Sequence, residues 1–160
     1  MSIETDRAWM AGIVDGEGTI AFERHSITRY SYNHYYPTVQ LVNTNVNTFP
    51  LFMEEYGGYM SMVSDKRAIA TRHKQAYRWL CDMDRMEQFL TDIRPYLRLK
   101  SEQCGILLDY IANAKRLHRF NLHGSKGRTP IPDEIVNLRY ETYIKLQVLN
   151  KRGTENEAGS

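Results

Sequence analysis

The stretch Trp9-Met10-Ala11-Gly12-Ile13-Val14-Asp15-Gly16-Glu17-Gly18-Thr19-Ile20 restricts the fold more than any other part of this chain, because it joins two different periodicities. Upstream of Asp15 the apolar residues fit a short helix, for which Thr5 or Asp6 supplies the cap. Downstream, Ile20 and Phe22 alternate with Thr19, Ala21, Glu23 and His25, the mark of a half-buried strand. A helix over residues 5–16 therefore runs almost directly into a strand, and a glycine in Asp15-Gly16-Glu17-Gly18 can take the left-handed conformation that leaves a helix. Ala8, Gly12 and Gly16 recur at i, i+4 and i+8, so one helix face carries almost no side chains. A glycine inside a helix costs roughly 1 kcal/mol relative to alanine, and close packing on that face is the compensation to look for. Two arrangements supply it: a neighbouring element of the same domain, or a second copy of the helix across a two-fold axis.

The same helix ends on two carboxylates, Asp15 and Glu17. Acids at a helix C-terminus oppose the macrodipole by about 0.3–1 kcal/mol each. They are either solvated acids in a glycine-rich turn or oxygen ligands for a cation such as Mg²⁺, which binds one or two carboxylates and keeps positions for water and phosphate. The residues alone leave both readings open.

The rest of the chain reads as helix, two strands, helix, two strands and further helices. A second strand covers Thr38 to Val42, and the Tyr-rich stretch Ser26 to Pro37 is a long hairpin connection or twisted strand extensions. Residues 46–56 form a short helix with Pro50 in its first turn, closed by Gly57-Gly58. A hairpin pairs Tyr59–Val63 with Ile69–Leu80, placing Trp79 on one face and Arg72, Lys74 and Arg78 on the other. Asp84 caps a helix over Met86–Ile93, Pro95 interrupts, and helices follow over Ser101–Leu117 and Pro132–Leu149. This order implies an α+β class with a mostly antiparallel sheet, one domain over residues 1–153 and a disordered tail over 154–160. Trp9, Phe22, Phe52, Trp79 and Phe89 are expected in the core.

The chain has 160 residues, 42% of them hydrophobic, enough to bury a core without staples. Cys81 and Cys104 lie 23 positions apart with no ligand-like spacing, which favours free thiols over a disulfide or zinc site. No 18-residue apolar run is present and the start is acidic and polar, so an intracellular location without membrane contact is expected. Net charge is only +2 but is unevenly spread: −4 over residues 1–60, +4 over 61–100 and +2 over 101–160. That excess is weak evidence for nucleic acid, and the local pattern has to decide.

The string from Trp9 to Ile20 resembles the signature of the LAGLIDADG homing endonucleases: Ala-Gly, two apolar residues, an acid, a small residue, a second acid, Gly, then a Thr-led strand. A second similarity is Pro95-Tyr96-Leu97-Arg98-Leu99-Lys100, which resembles the family's Pro-x-Leu-x-x-Lys segment before a long helix. A weaker third is Leu149-Asn150-Lys151-Arg152-Gly153 near the C-terminus. The resemblance implies an αββαββα fold with a curved antiparallel DNA-binding sheet and C-terminal helices. Because a single signature is present, it further implies a homodimer whose signature helices pack through Ala8, Ala11 and Gly12.

It also implies a double-strand break in a long, partly palindromic DNA site by metal-dependent phosphodiester hydrolysis. Glu17 and the Gly16 carbonyl match the family's metal ligands, with Asp15 as a second acid. Lys100 matches a lysine that acts electrostatically, and Asn43, or Thr44 in the neighbouring register, matches a further polar catalytic residue. Glu17 stands where many members have Asp, and its extra methylene changes the reach of the carboxylate. The implied cofactor is Mg²⁺, with Mn²⁺ or Ca²⁺ able to occupy the site in vitro.

DNA contacts are expected from the polar strand faces, since two-stranded ribbons enter the major groove. These positions are Glu23, His25, Arg29, Tyr30, Tyr32, His34, Tyr36, Thr38 and Gln40, then Ser61, Lys66, Arg67, Arg72, Lys74 and Arg78. Two other functions fit the same scaffold: a splicing maturase binding intron RNA, and a non-catalytic DNA-binding regulator.

Overall fold

Helix α1 spans Ile3–Glu17 and is longer at both ends than its periodicity suggests. Its N-cap is Ser2, whose hydroxyl accepts the Thr5 amide at 3.3 Å, so neither Thr5 nor Asp6 is the cap. At the other end Gly16 stays helical, and the chain leaves through Gly18 in an extended conformation (φ −85°, ψ 162°). No left-handed residue is used here. Gly18 is required for space instead: a Cβ there would lie 2.8 Å from both Cα and O of Val14.

The computed structural model describes residues 2–27, 32–63, 74–118 and 132–151. After α1 come β1 (Gly18–Ile27), β2 (Tyr32–Asn43), a 3-10 turn (Val46–Thr48), α2 (Pro50–Tyr56), β3 (Tyr59–Met62) and β4 (Tyr77–Leu80). Helix α3 (Met83–Ile93), a second 3-10 turn (Arg94–Tyr96), α4 (Ser101–His118) and α5 (Asp133–Asn150) complete the order. The sheet is antiparallel with strand order β1-β2-β4-β3. The α+β class is as expected, and the Tyr-rich stretch is mainly strand, because β1 and β2 extend into it. Pro50 occupies the first turn of α2 as expected, and Gly57 and Gly58 follow that helix with φ of 66° and 83°. The cap of α3 is Asp82, which accepts the Asp84 amide, rather than Asp84 itself.

The contacts divide the chain into two compact units, one built from residues 1–19 and 38–101, the other from 20–37 and 102–160. The first unit has an aromatic centre in which Phe52 lies 5.9 Å from Trp9, 5.0 Å from Trp79 and 6.0 Å from Phe89. Such tilted pairs add about 0.5–1.5 kcal/mol each beyond burial. The fully buried Trp79 donates its indole N–H to the Gly57 carbonyl at 2.9 Å. A Cβ on Gly58 would approach the Leu80 carbonyl to 2.2 Å, so only glycine permits this closure. Helix α1 is tied to α3 and α2 by Arg7–Asp92 at 2.9 Å, with the Tyr56 hydroxyl donating to Asp92 at 2.9 Å.

In the second unit Phe22 meets the edge of Tyr110 at 4.7 Å, and Tyr35 packs 5.0 Å from Tyr143 and 5.9 Å from Tyr140. Asn150, at the end of α5, donates to the Ile20 carbonyl at 3.2 Å. Both cysteines are buried, and burial pushes the Cys81 thiol up to about 12. Among the described residues no helix is long and apolar enough to cross a membrane.

Candidate active site and nucleic-acid surface

Everything that gives the C-terminus of α1 its chemistry comes from the first unit. The last carbonyls of a helix have no partner within it. Here the Lys100 ammonium supplies one, donating to the Val14 carbonyl at 2.9 Å and also to the Asp15 carbonyl. A cation at this end is favoured by the macrodipole. Burial pushes the Lys100 ammonium below its ordinary value, and the carboxylates of Asp15 and Glu17 act in the opposite direction. Lys100 is thus brought within electrostatic reach of both acids, although they lie more than 80 positions away in the chain.

The two acids differ. Asp15 is partly buried, and each of its oxygens accepts a main-chain N–H: Oδ2 from Arg98 at 2.6 Å and Oδ1 from Lys100 at 2.9 Å. Glu17 is the last residue of α1, and its side chain is exposed. Gly16 is exposed beside it. Both Asp15 oxygens thus hold the turn that leads into α4, whereas Glu17 has no such partner among the described residues. Asn43 Oδ1 accepts the Asn45 amide at 2.8 Å and so shapes the turn after β2. Asn43 makes no hydrogen bond to Glu17 or Lys100, and Thr44 is exposed. Among the described residues no group of three or more His, Cys, Asp or Glu side chains could hold a metal ion.

The small-residue face of α1 is open. Ala8, Gly12 and Gly16 are exposed, and a Cβ built on Gly12 or Gly16 meets nothing within 4 Å. Packing among the described residues therefore does not demand either glycine. Trp9, expected in the core, is instead 41% exposed, its ring resting against Phe52. Ala11, expected on a partner-facing surface, is 0% exposed, because the helical turn that exposes Ala8 and Gly12 points Ala11 inward with Met10 and Val14.

On the strands the alternation sorts the expected DNA contacts. In the second unit His25 is exposed, while Glu23, His34 and Tyr36 are half-buried. Tyr36 donates its hydroxyl to Glu23 at 2.9 Å and lies between His25 (5.3 Å) and His34 (6.0 Å). Burial, then the neighbouring Arg139 and His25, pushes His34 below its ordinary value and favours its neutral ring. In the first unit Arg78 and Lys74 are exposed and Gln40 and Ser61 half-buried, and Arg78 stands opposite Ser61 on β3 and Val42 on β2. Thr38 is withdrawn from the expected contacts, being only 3% exposed. Arg29, Tyr30, Lys66, Arg67 and Arg72 lie outside the described residues, as does the side chain of Tyr32.

Compared with proteins of known structure, the chain is similar to the homing endonuclease I-CvuI bound to its DNA target in Ca, at 20% identity and a TM-score of 0.56 over 91% of this chain and 96% of that one. The archaeal intron-encoded homing endonuclease I-Vdi141I complexed with DNA aligns over 92% of this chain and 99% of its own, with 12% identity and a TM-score of 0.55. The group I intron-encoded homing endonuclease I-CeuI complexed with DNA aligns over 95% and 70%, with 14% identity and a TM-score of 0.56. At the level of sequence, no family model and no curated protein matches the chain. The fold is that of the LAGLIDADG homing endonucleases: an α+β scaffold with a four-stranded antiparallel sheet.

Proposed function

We propose that this chain is a site-specific DNA endonuclease that acts as a homodimer, each subunit hydrolysing one strand of a long, partly palindromic site. The observation that carries the reading is the open face of α1, where Gly12 and Gly16 leave room for close approach and the helix ends on an exposed carboxylate, Glu17. A second α1 packed on that face brings two copies of Glu17 to the dyad, one for each strand.

The donor set fits a hard divalent cation. Glu17 and the Gly16 carbonyl offer oxygen only, and with so few protein ligands the remaining positions fall to water and DNA phosphate, as suits Mg²⁺. When bound, the cation lowers the pKa of the attacking water and offsets charge on the leaving 3′ oxygen. The chain's own residues do the rest. Glu17 holds its carboxylate free at the end of α1, and Lys100 supplies fixed positive charge toward the scissile phosphate. Arg78 on β4 and His25 and Tyr36 in the other unit contact the duplex. The Lys100 charge is preorganised, so no reorganisation cost falls on the chemical step.

The test is incubation of the purified protein with a randomised duplex library, with Mg²⁺ and separately with EDTA, followed by sequencing of cut ends. A long near-palindromic site cut only with Mg²⁺ is expected, and Glu17→Gln should bind that site without cutting it. A site enriched by binding but never cut would replace the nuclease with a DNA-binding regulator. RNA binding without DNA binding would point to the maturase and intron RNA.

A further inference from the structure

We propose that Asp15 is a positioning residue for Lys100: the two side chains form a reciprocal clasp that fixes the lysine ammonium over the C-terminus of α1. The inference rests on the nuclease reading and assigns its two acids to different tasks.

The clasp closes in both directions. The Asp15 carboxylate takes the main-chain N–H groups of Arg98 (2.6 Å) and Lys100 (2.9 Å), and the Lys100 side chain returns to the main chain at Val14 (2.9 Å) and Asp15. Hydrogen bonds from N–H groups to a carboxylate are charge-assisted and about twice as strong as neutral ones. They fix the position of the Lys100 backbone, and with it the point from which its flexible side chain starts. An ammonium has three N–H donors. Two are spent on helix carbonyls, which leaves one for an acceptor outside the chain, such as a phosphate oxygen or the attacking water.

The Asp15 oxygens are turned to the 98–100 turn, whereas the Glu17 side chain is exposed. This accounts for two acids two positions apart in the same helical turn. Glu17 is left for the cation, and Asp15 locks the lysine.

The experiment is a double-mutant cycle on the full-length protein with its selected DNA site, using Asp15→Asn, Lys100→Met and the double variant, with cleavage rate at saturating DNA, Kd in Ca²⁺ and the Mg²⁺ midpoint all measured. An asparagine keeps one acceptor but turns an NH₂ toward the other main-chain N–H, so the clasp opens. Removing one preorganised electrostatic group typically costs about 10²–10³-fold in rate. Each single variant is expected to lose about 10²-fold, the double variant no more than either, with Kd and the Mg²⁺ midpoint unchanged.

Losses that multiply in the double variant, or a raised Mg²⁺ midpoint in Asp15→Asn, would overturn the inference and return Asp15 to the ligands. If Asp15→Asn fails to fold, Asp15→Glu is the second variant: it keeps both acceptors on a longer arm and should lose rate at an unchanged midpoint. A lower melting temperature with the parent rate would make Asp15 merely structural and also overturns the inference. A parent that binds DNA without cutting it would overturn the nuclease reading itself, whereas a cutting parent with multiplying losses overturns the clasp alone.

Discussion

Substituting alanine for each of two glycines of the Ala-Gly…Gly-Glu-Gly segment should have opposite effects on the stability of the chain. At Gly12 the added Cβ meets nothing within 4 Å and the position lies inside α1, so Gly12→Ala gains the helix-propensity difference of about 0.8–1.0 kcal/mol with no steric cost. At Gly18 the added Cβ sits 2.8 Å from the Cα and O of Val14 and 3.1 Å from its Cγ1. Helix backbone cannot retreat as a flexible side chain can, and overpacking of this kind costs about 1–3 kcal/mol. The two variants should therefore differ by about 2–4 kcal/mol. With a urea m-value of about 1–3 kcal/mol/M, that is a separation of roughly 1 M or more between midpoints.

The assay is urea unfolding followed by circular dichroism, at a protein concentration low enough that sedimentation finds the parent monomeric. Under those conditions only intrachain packing is read. A Gly12→Ala variant less stable than the parent would mean that this face is already covered within the chain, and the dimer argument would fall with it. Gly12→Leu completes the series: the isolated chain tolerates the side chain, but two helices separated by it cannot approach. Its dimer should dissociate in sedimentation equilibrium, and an unchanged dimer mass would move the interface elsewhere.

Two further outcomes follow from other parts of the molecule. Arg78, exposed on β4 opposite Ser61, should cost about 1–3 kcal/mol of binding when changed to alanine if it reads a base, with relaxed preference at one position of the selected site; an unchanged site profile and affinity would remove it from the contact surface. Tyr56 is pushed up from 10.0 to about 12 by burial, and then by its hydrogen bond to Asp92. Between those values the unfolded chain has lost the phenolic proton while the folded chain keeps it, so this group makes stability fall as pH rises from about 10 to about 12. Tyr56→Phe should reduce the slope of urea midpoint against pH in that window, and an unaltered slope would show that the hydroxyl is not held as described.

Much of the architecture was legible because it rests on local rules. Alternation placed Ile20, Phe22 and Trp79 inward and His25 and Arg78 outward, since a strand's side-chain period of two needs no knowledge of neighbours. The helix over residues 101–117 and the closure of α2 by Gly57-Gly58 followed from spacing and from backbone conformation that glycine alone takes freely. Caps were less legible. Ser2 against Thr5, and Asp82 against Asp84, differ by single turns, and whichever oxygen the fold brings to a free amide becomes the cap.

What the sequence determined by itself was the order of elements, the polar and apolar strand faces, and the small-residue face of α1 with two acids at its end. These are properties of neighbours along the chain, where covalent geometry sets the distances. Tertiary structure alone decided which acid is free. Asp15 and Glu17 look equivalent in Asp-Gly-Glu-Gly, and only the return of residues 98–100, more than 80 positions later, occupies one of them and leaves the other exposed. It likewise decided that Ala11 is buried, that Thr38 is covered, and that half-exposed Trp9 lies beside two glycines with open space before them. The physical reason is the same in each case: hydrogen-bond partners and exclusion from water depend on groups distant in sequence, and no local pattern records which of them will arrive.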